Sequence, residues 1–322
     1  MLAVAVTLGI AVSGRAQTPE PPRTAWGDPD LGGVWDYSSL TPMARPPEFE
    51  GKPVLTEEEA AEYLRQQTQF YEALDDGSTV PGNEIHTRVF IDAGTTLVLD
   101  RRSSLIVDPP TGRQPALVDG AAARMAANPS SFSQGPFESH RDFGLTDRCL
   151  ASIGFPIVPG PYNNNIQIFQ TPDHVAILAE SMSMVRIIPL DGRAGLPEHL
   201  RQWNGDARAH WDGDTLVVET ARFVGQEFNL IPHGGGGAGT YSGASRELRL
   251  TERFTRLSDD FIEYEFTIDD PGLYTRPWTG VIPLTTIESP DTIIEYACHE
   301  GNYSIVGSLS GALARDRAAS QD

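Results

Sequence analysis

The sequence predicts a mainly β protein, an antiparallel barrel or sandwich carrying one or two short helices. Three observations predict it. From about residue 85 onward the chain reads as consecutive apolar or alternating runs broken by Gly, Pro, Asn and Asp turn signals. Within 261–269, Ile262, Tyr264, Phe266 and Ile268 alternate with Glu263, Glu265, Thr267 and Asp269, the period-two pattern of a strand buried on one face. No βαβ alternation and no repeat of fixed period is visible, which disfavours a parallel doubly wound sheet.

Taken in order, Leu2 to Val12 form a short apolar run followed by Ser13-Gly14-Arg15-Ala16-Gln17. That is the pattern of a secretory signal cut after Ala16, and the run is too short for a membrane span of about 20 residues. No Lys or Arg precedes the run, which leaves the true start of the chain open. Residues 17–84 then hold a Pro-rich linker, a first strand and a helix. Asp30-Leu31-Gly32-Gly33-Val34-Trp35 is a turn feeding that strand, and its Gly-x-Trp is similar to the opening of calycin-type barrels. A calycin-like barrel is therefore favoured over a sandwich.

Thr56 and Glu59 make a capping box, with Leu55 placed to staple against Ala60. Ala60, Tyr63, Leu64, Phe70 and Leu74 continue one helical stripe. A second helix is expected over 117–127. The main β domain, 85–309, is expected to place strands at 88–92, 95–100, 104–108, 165–170, 175–182 and 184–189. A hairpin over 207–221 turns at Asp212-Gly213, a pair suited to a type I′ turn. Further strands are expected at 245–255, 261–269, 274–284 and 292–297, with 310–322 as a C-terminal tail.

The net charge of −20 argues against nucleic acid as a partner, because neutralising phosphates needs a basic surface. Two cysteines, Cys149 and Cys298, in an exported chain predict one disulfide. They lack Cys-x-x-Cys spacing, and the seven histidines show no His-x-x-x-His spacing, so no metal site is expected. No cofactor motif is present either. Gly234 to Gly237 has no following Lys-Ser or Lys-Thr and reads as a loop rather than a phosphate cradle. The expected location is the periplasm or the cell exterior.

Four blocks are distinctive: Ser104-Leu105-Ile106-Val107-Asp108-Pro109-Pro110, Pro161 to Ile168 continuing through Arg186 to Arg193, Trp211 to Thr220, and Tyr296 to Tyr303. Together they resemble a large family of mostly uncharacterised exported bacterial proteins, and the likeness spans most of the mature chain. The resemblance implies export and transfers no catalytic residue. Two features depart from it: Ser183-Met184-Val185 stands where relatives often carry a His-Asp pair, and the Gly-rich stretch 233–243 looks peculiar to this chain.

Candidate chemistry gathers at several places. With Asp212-Gly213 as the turn, Arg208 lies opposite Val217, His210 opposite Thr215 and Asp206 opposite Glu219. His210 and Glu219 are then a candidate base and orienter, with Arg208 as an anion anchor; a solvated strand face is the plainer explanation. His299 and Glu300, beside Cys298, are a second candidate pair, against a structural corner. Asn163 and Asn164 offer amides to a polar ligand, although Asn is also a turn residue. Arg186 sits in an apolar strand and needs a carboxylate, for which Glu180 is the candidate. Trp203, Trp278 and Tyr296 are candidate ligand-stacking aromatics, or core. Glu263, Glu265 and Glu295 are carboxylates whose separation the sequence leaves open.

Two functions follow as expectations. One is an exported small-molecule-binding protein with a barrel pocket. The other is a cofactor-independent lyase, isomerase or hydrolase using His210 or His299 with a carboxylate and Arg208. The oligomeric state is not readable.

Overall fold

The computed structural model describes residues 21–75, 92–126, 137–143, 148–149, 156–160, 162–225, 245–287 and 293–320. The signal segment 1–16, the expected strand residues 88–91 and the Gly-rich stretch 233–243 lie outside them. Ten strands are described: β1 (Gly33–Asp36), β2 (Ile106–Asp108), β3 (Asn165–Gln170), β4 (His174–Ala179), β5 (Met184–Pro189), β6 (Asp206–Asp212), β7 (Thr215–Ala221), β8 (Arg249–Ser258), β9 (Phe261–Asp269) and β10 (Trp278–Thr286). They form one antiparallel sheet in the order β5-β4-β3-β1-β10-β9-β8-β7-β6, and β2 continues the edge of β10 beyond β1. The end strands β5 and β6 border one another, so the sheet nearly closes into a barrel. The first strand is an internal member of this sheet, between β3 and β10.

Alternation decides what faces inward. Ile166 and Ile168 of β3, Val175, Ile177 and Ala179 of β4, Leu216 and Val218 of β7, and Ile262 to Ile268 in steps of two on β9 are buried in one core. Trp35, Phe254, Tyr264, Phe266 and Trp278 are the largest side chains filling it. Gly280 sits opposite Phe266, and an added Cβ there would lie 2.5 Å from the ring's Cζ, so glycine makes the room that the ring occupies. At one end Arg256 of β8 closes the barrel. Its guanidinium stacks 5.1 Å from the Trp35 ring centroid and donates to the carbonyls of Asp30, Ser258 and Asp259. The Gly-x-Trp stretch is thus pinned from within the sheet.

The helix α1 (Glu57–Asp75) starts as its capping box dictates: Glu59 N donates to Thr56 Oγ1 at 3.2 Å and Thr56 N to Glu59 Oε2 at 3.1 Å. Leu55, Ala60 and Tyr63 join Phe49 in a satellite core, whereas Phe70 is exposed. Only the first part of the expected stripe is therefore shown to be buried. The second helix, α2, is short (Ala121–Ala126). A third, α3 (Ser304–Ala319), occupies most of what the sequence suggested was a tail.

Three expected strands need correction. Residues 95–100 are irregular, because they bond crosswise to the 40–41 segment: Leu40 N donates to Thr96 O and Val98 N to Thr41 Oγ1. Residues 293–297 are likewise not a strand; Tyr296 N is taken up by the Ser183 hydroxyl at 2.9 Å. Residues 274–277 precede β10, with Tyr274 instead bridging Leu117. Cys149 and Cys298 form the disulfide, with Cα atoms 5.9 Å apart, and it ties the C-terminal segment back to the middle of the chain.

Candidate functional site

The β6–β7 hairpin pairs two residues away from the expected register. Asp212 lies opposite Thr215, so the loop is Gly213-Asp214, which puts Arg208 opposite Glu219 and His210 opposite Val217. A one-glycine shift at the turn centre is sufficient, since Gly213 takes the positive φ of 61°. Ala207, Ala209, Leu216 and Val218 take the inner face, so alternation sends the polar set outward. His210 and Glu219 are exposed. Arg208 pairs with Asp206 at 2.6 Å and donates to the carbonyls of Ala207 and Ala194. The three side chains do not gather in an enclosed site.

The other expected groups are also dispersed. His299 and Glu300 are exposed in the turn after Cys298. Asn163 adopts a left-handed φ of 56°, and its carbonyl accepts from the Tyr37 hydroxyl at 3.0 Å. Asn164 is buried with its amide committed: Oδ1 accepts from Gly160 N, and Nδ2 donates to the carbonyls of Asp92 and Gly160. Both asparagines thus shape the backbone before β3. Trp203 is exposed ahead of β6, Trp278 is core packed edge-on against Phe266 and Tyr274, and Tyr296 is half-buried near the β4–β5 turn. Glu263 and Glu265 face outward on β9.

Arg186 does find a carboxylate, but not Glu180. On β5 it points inward and meets Glu252 of β8 through both guanidinium nitrogens, Nη1 at 3.3 Å from Oε1 and Nη2 on Oε2. Glu180, just past β4, instead accepts from Asn165 Nδ2 at 2.9 Å. The inner-face geometry decides between them: Glu252 lies between Leu250 and Phe254 on the core side of β8.

Two further groups complete the interior cluster. The Tyr264 hydroxyl donates to Glu252 Oε1 at 2.9 Å and accepts from the Ile157 N–H at 3.0 Å. Arg186 is 7% exposed, and Glu252 and Tyr264 are 0% exposed. Burial, and next the Glu252 charge, push the Tyr264 phenol well above its usual range, so it stays protonated as a donor. What results is a fixed cation, a fixed anion and a neutral phenol in an interior otherwise lined by Ile, Val, Leu and aromatic carbons. Such groups can orient a polar ligand by exchanging partners with it.

Glu252 was missed because Thr251-Glu252-Arg253 reads as a polar stretch. The available signal was periodicity: Leu250, Glu252 and Phe254 share a face, which makes Glu252 a carboxylate at a core position. Among the described residues no group of three or more His, Cys, Asp or Glu is placed to hold a metal ion. Compared with known proteins, the chain matches no family model, no curated protein and no solved structure.

Proposed function

We propose that this is an exported protein of the periplasm or cell exterior that binds a small polar organic molecule inside its barrel, against Arg186, Glu252 and Tyr264. One observation carries the proposal: a charged pair and a phenol are buried together in a core that apolar residues otherwise fill. Taking such charges out of water is costly, and a pair used only for packing is often replaceable by apolar residues at no loss. A ligand with a carboxylate or hydroxyl gives those groups a further use. Access is favoured at the seam between β5 and β6, the border where no strand ladder is described, and Arg186 stands on β5 beside it. Export is supported by the Cys149–Cys298 disulfide, and no described helix is long and apolar enough to cross a membrane. The alternative of a lyase, isomerase or hydrolase gains nothing from the hairpin, whose His210 and Glu219 face solvent.

Native mass spectrometry of the protein taken from the periplasm tests the binding role. A bound small molecule is expected on the wild-type protein and is expected to be lost from a folded Arg186→Met/Glu252→Leu variant. A wild-type protein that carries nothing and shows no thermal shift across a small-molecule library sinks the proposal.

A further inference from the structure

Along the β2 edge of the sheet, the segments 42–46, 101–106 and 109–113 are laced together by backbone bonds. Leu105 N donates to Pro42 O, Ile106 N to Met43 O, and Arg45 N to Gly112 O at 2.7 Å. Arg45 is held within this layer and is only 7% exposed. Its Nε donates to the Ser103 hydroxyl at 2.8 Å and its Nη1 to the Pro110 carbonyl at 3.1 Å. Gly112, at a φ of 68°, packs against the remaining nitrogen and the Ser104 hydroxyl: a Cβ there would lie 2.3 Å from Ser104 Oγ and 2.9 Å from Arg45 Nη2.

Arg113 lies across the same site. Its Nε donates to the Arg45 carbonyl at 2.9 Å, while its Nη2 is buried and meets no acceptor. Every acceptor that the two guanidiniums do reach is neutral, and among the described residues neither arginine makes an ion pair, although nearby Arg101, Arg102 and Arg276 all do. Burial first, and the Arg113 charge second, hold the Arg45 guanidinium below its usual range. In a chain of net charge −20, two adjoining cations without a carboxylate are an unusual expenditure of electrostatic energy.

We infer that Arg45 and Arg113 form an anion site for a small oxyanion, either inorganic phosphate or sulfate or the same group carried on an organic molecule. Planar guanidinium forks match the oxygen spacing of these groups and bind them with charge-assisted hydrogen bonds. Glycine at 112 makes the room that the Arg45 guanidinium and the Ser104 hydroxyl occupy, and the unbonded Nη2 of Arg113 supplies the second cation. This site is separate from the barrel interior and does not depend on the function proposed for it.

The test is thermal unfolding of the purified mature protein in inorganic phosphate or sulfate, at constant ionic strength against chloride. A midpoint rising with the logarithm of anion concentration is expected, by about 2–4 °C at ten times the dissociation constant. Arg113→Gln should abolish the rise, and Arg193→Gln, at an exposed turn where Arg193 pairs with Asp191, should leave it intact. A selenate soak supplies a second readout that needs no variant, with an anomalous peak expected between the two guanidiniums. A midpoint that follows chloride, a rise unchanged in Arg113→Gln, or crystals without that peak overturns the inference. A phosphomonoester that outcompetes free phosphate would identify the organic source.

Discussion

Arg186 on β5 and Glu252 on β8 are joined by a two-point ion pair across the barrel interior, and Tyr264 donates to the same carboxylate. Removing one partner strands the other charge in the core. Glu252→Leu or Arg186→Met alone is expected to destabilise the fold by about 3–5 kcal/mol. The double substitution should cost far less than the sum of the two, and urea unfolding of all four proteins measures that coupling. Strict additivity would show that the two side chains do not depend on one another.

Arg256 closes one barrel end over Trp35 while binding three backbone carbonyls. Arg256→Ala should cost about 2–4 kcal/mol, from the lost cation–π contact and the charge-assisted bonds. Water reaching Trp35 should shift tryptophan emission to the red. Arg256→Lys should recover only part of the stability, because an ammonium cannot both stack and span three acceptors. Emission and unfolding midpoint unchanged in Arg256→Ala would remove its closing role.

The disulfide closes a loop with a sequence separation of 149. Cys149→Ser/Cys298→Ser, or reduction, should lower stability by about 2–5 kcal/mol. It should also speed proteolysis within 293–320, which the disulfide ties to Cys149 and which a bond from Tyr296 N to Ser183 Oγ also holds. Limited digestion with and without reductant separates the two effects.

Asp36 ends β1, where burial raises its carboxyl above the ordinary 3.8; the Ser38 bonds pull it down and Asp92 pushes it up. The folded protein therefore holds a proton there that the unfolded chain releases. Stability from this group is fullest below pH 3.8 and declines as pH rises through the folded-state value. Asp36→Asn should remove that decline while replacing one of the two oxygens that accept from the Ser38 N–H and hydroxyl with an NH2 donor, a pH-independent offset. Unfolding free energies across that range check the difference in slope.

The barrel was legible because its cause is local. Ile262, Tyr264, Phe266 and Ile268 alternate with polar residues whatever lies around them, and the Thr56–Glu59 box starts α1 from bonds within one turn. The cysteine pair followed from the even count and the expected compartment. What tertiary structure alone decided is which polar groups meet. A shift of the β6–β7 loop centre onto Gly213-Asp214 changed every cross-strand partner of Arg208 and His210. Closure of the sheet then brought Arg186 to Glu252 across a separation of 66 residues, when Glu180 was the nearer carboxylate in sequence. Side-chain alternation is written along the chain, but the diameter of a barrel is set by all its strands at once. Partners across that diameter exist only after it has formed.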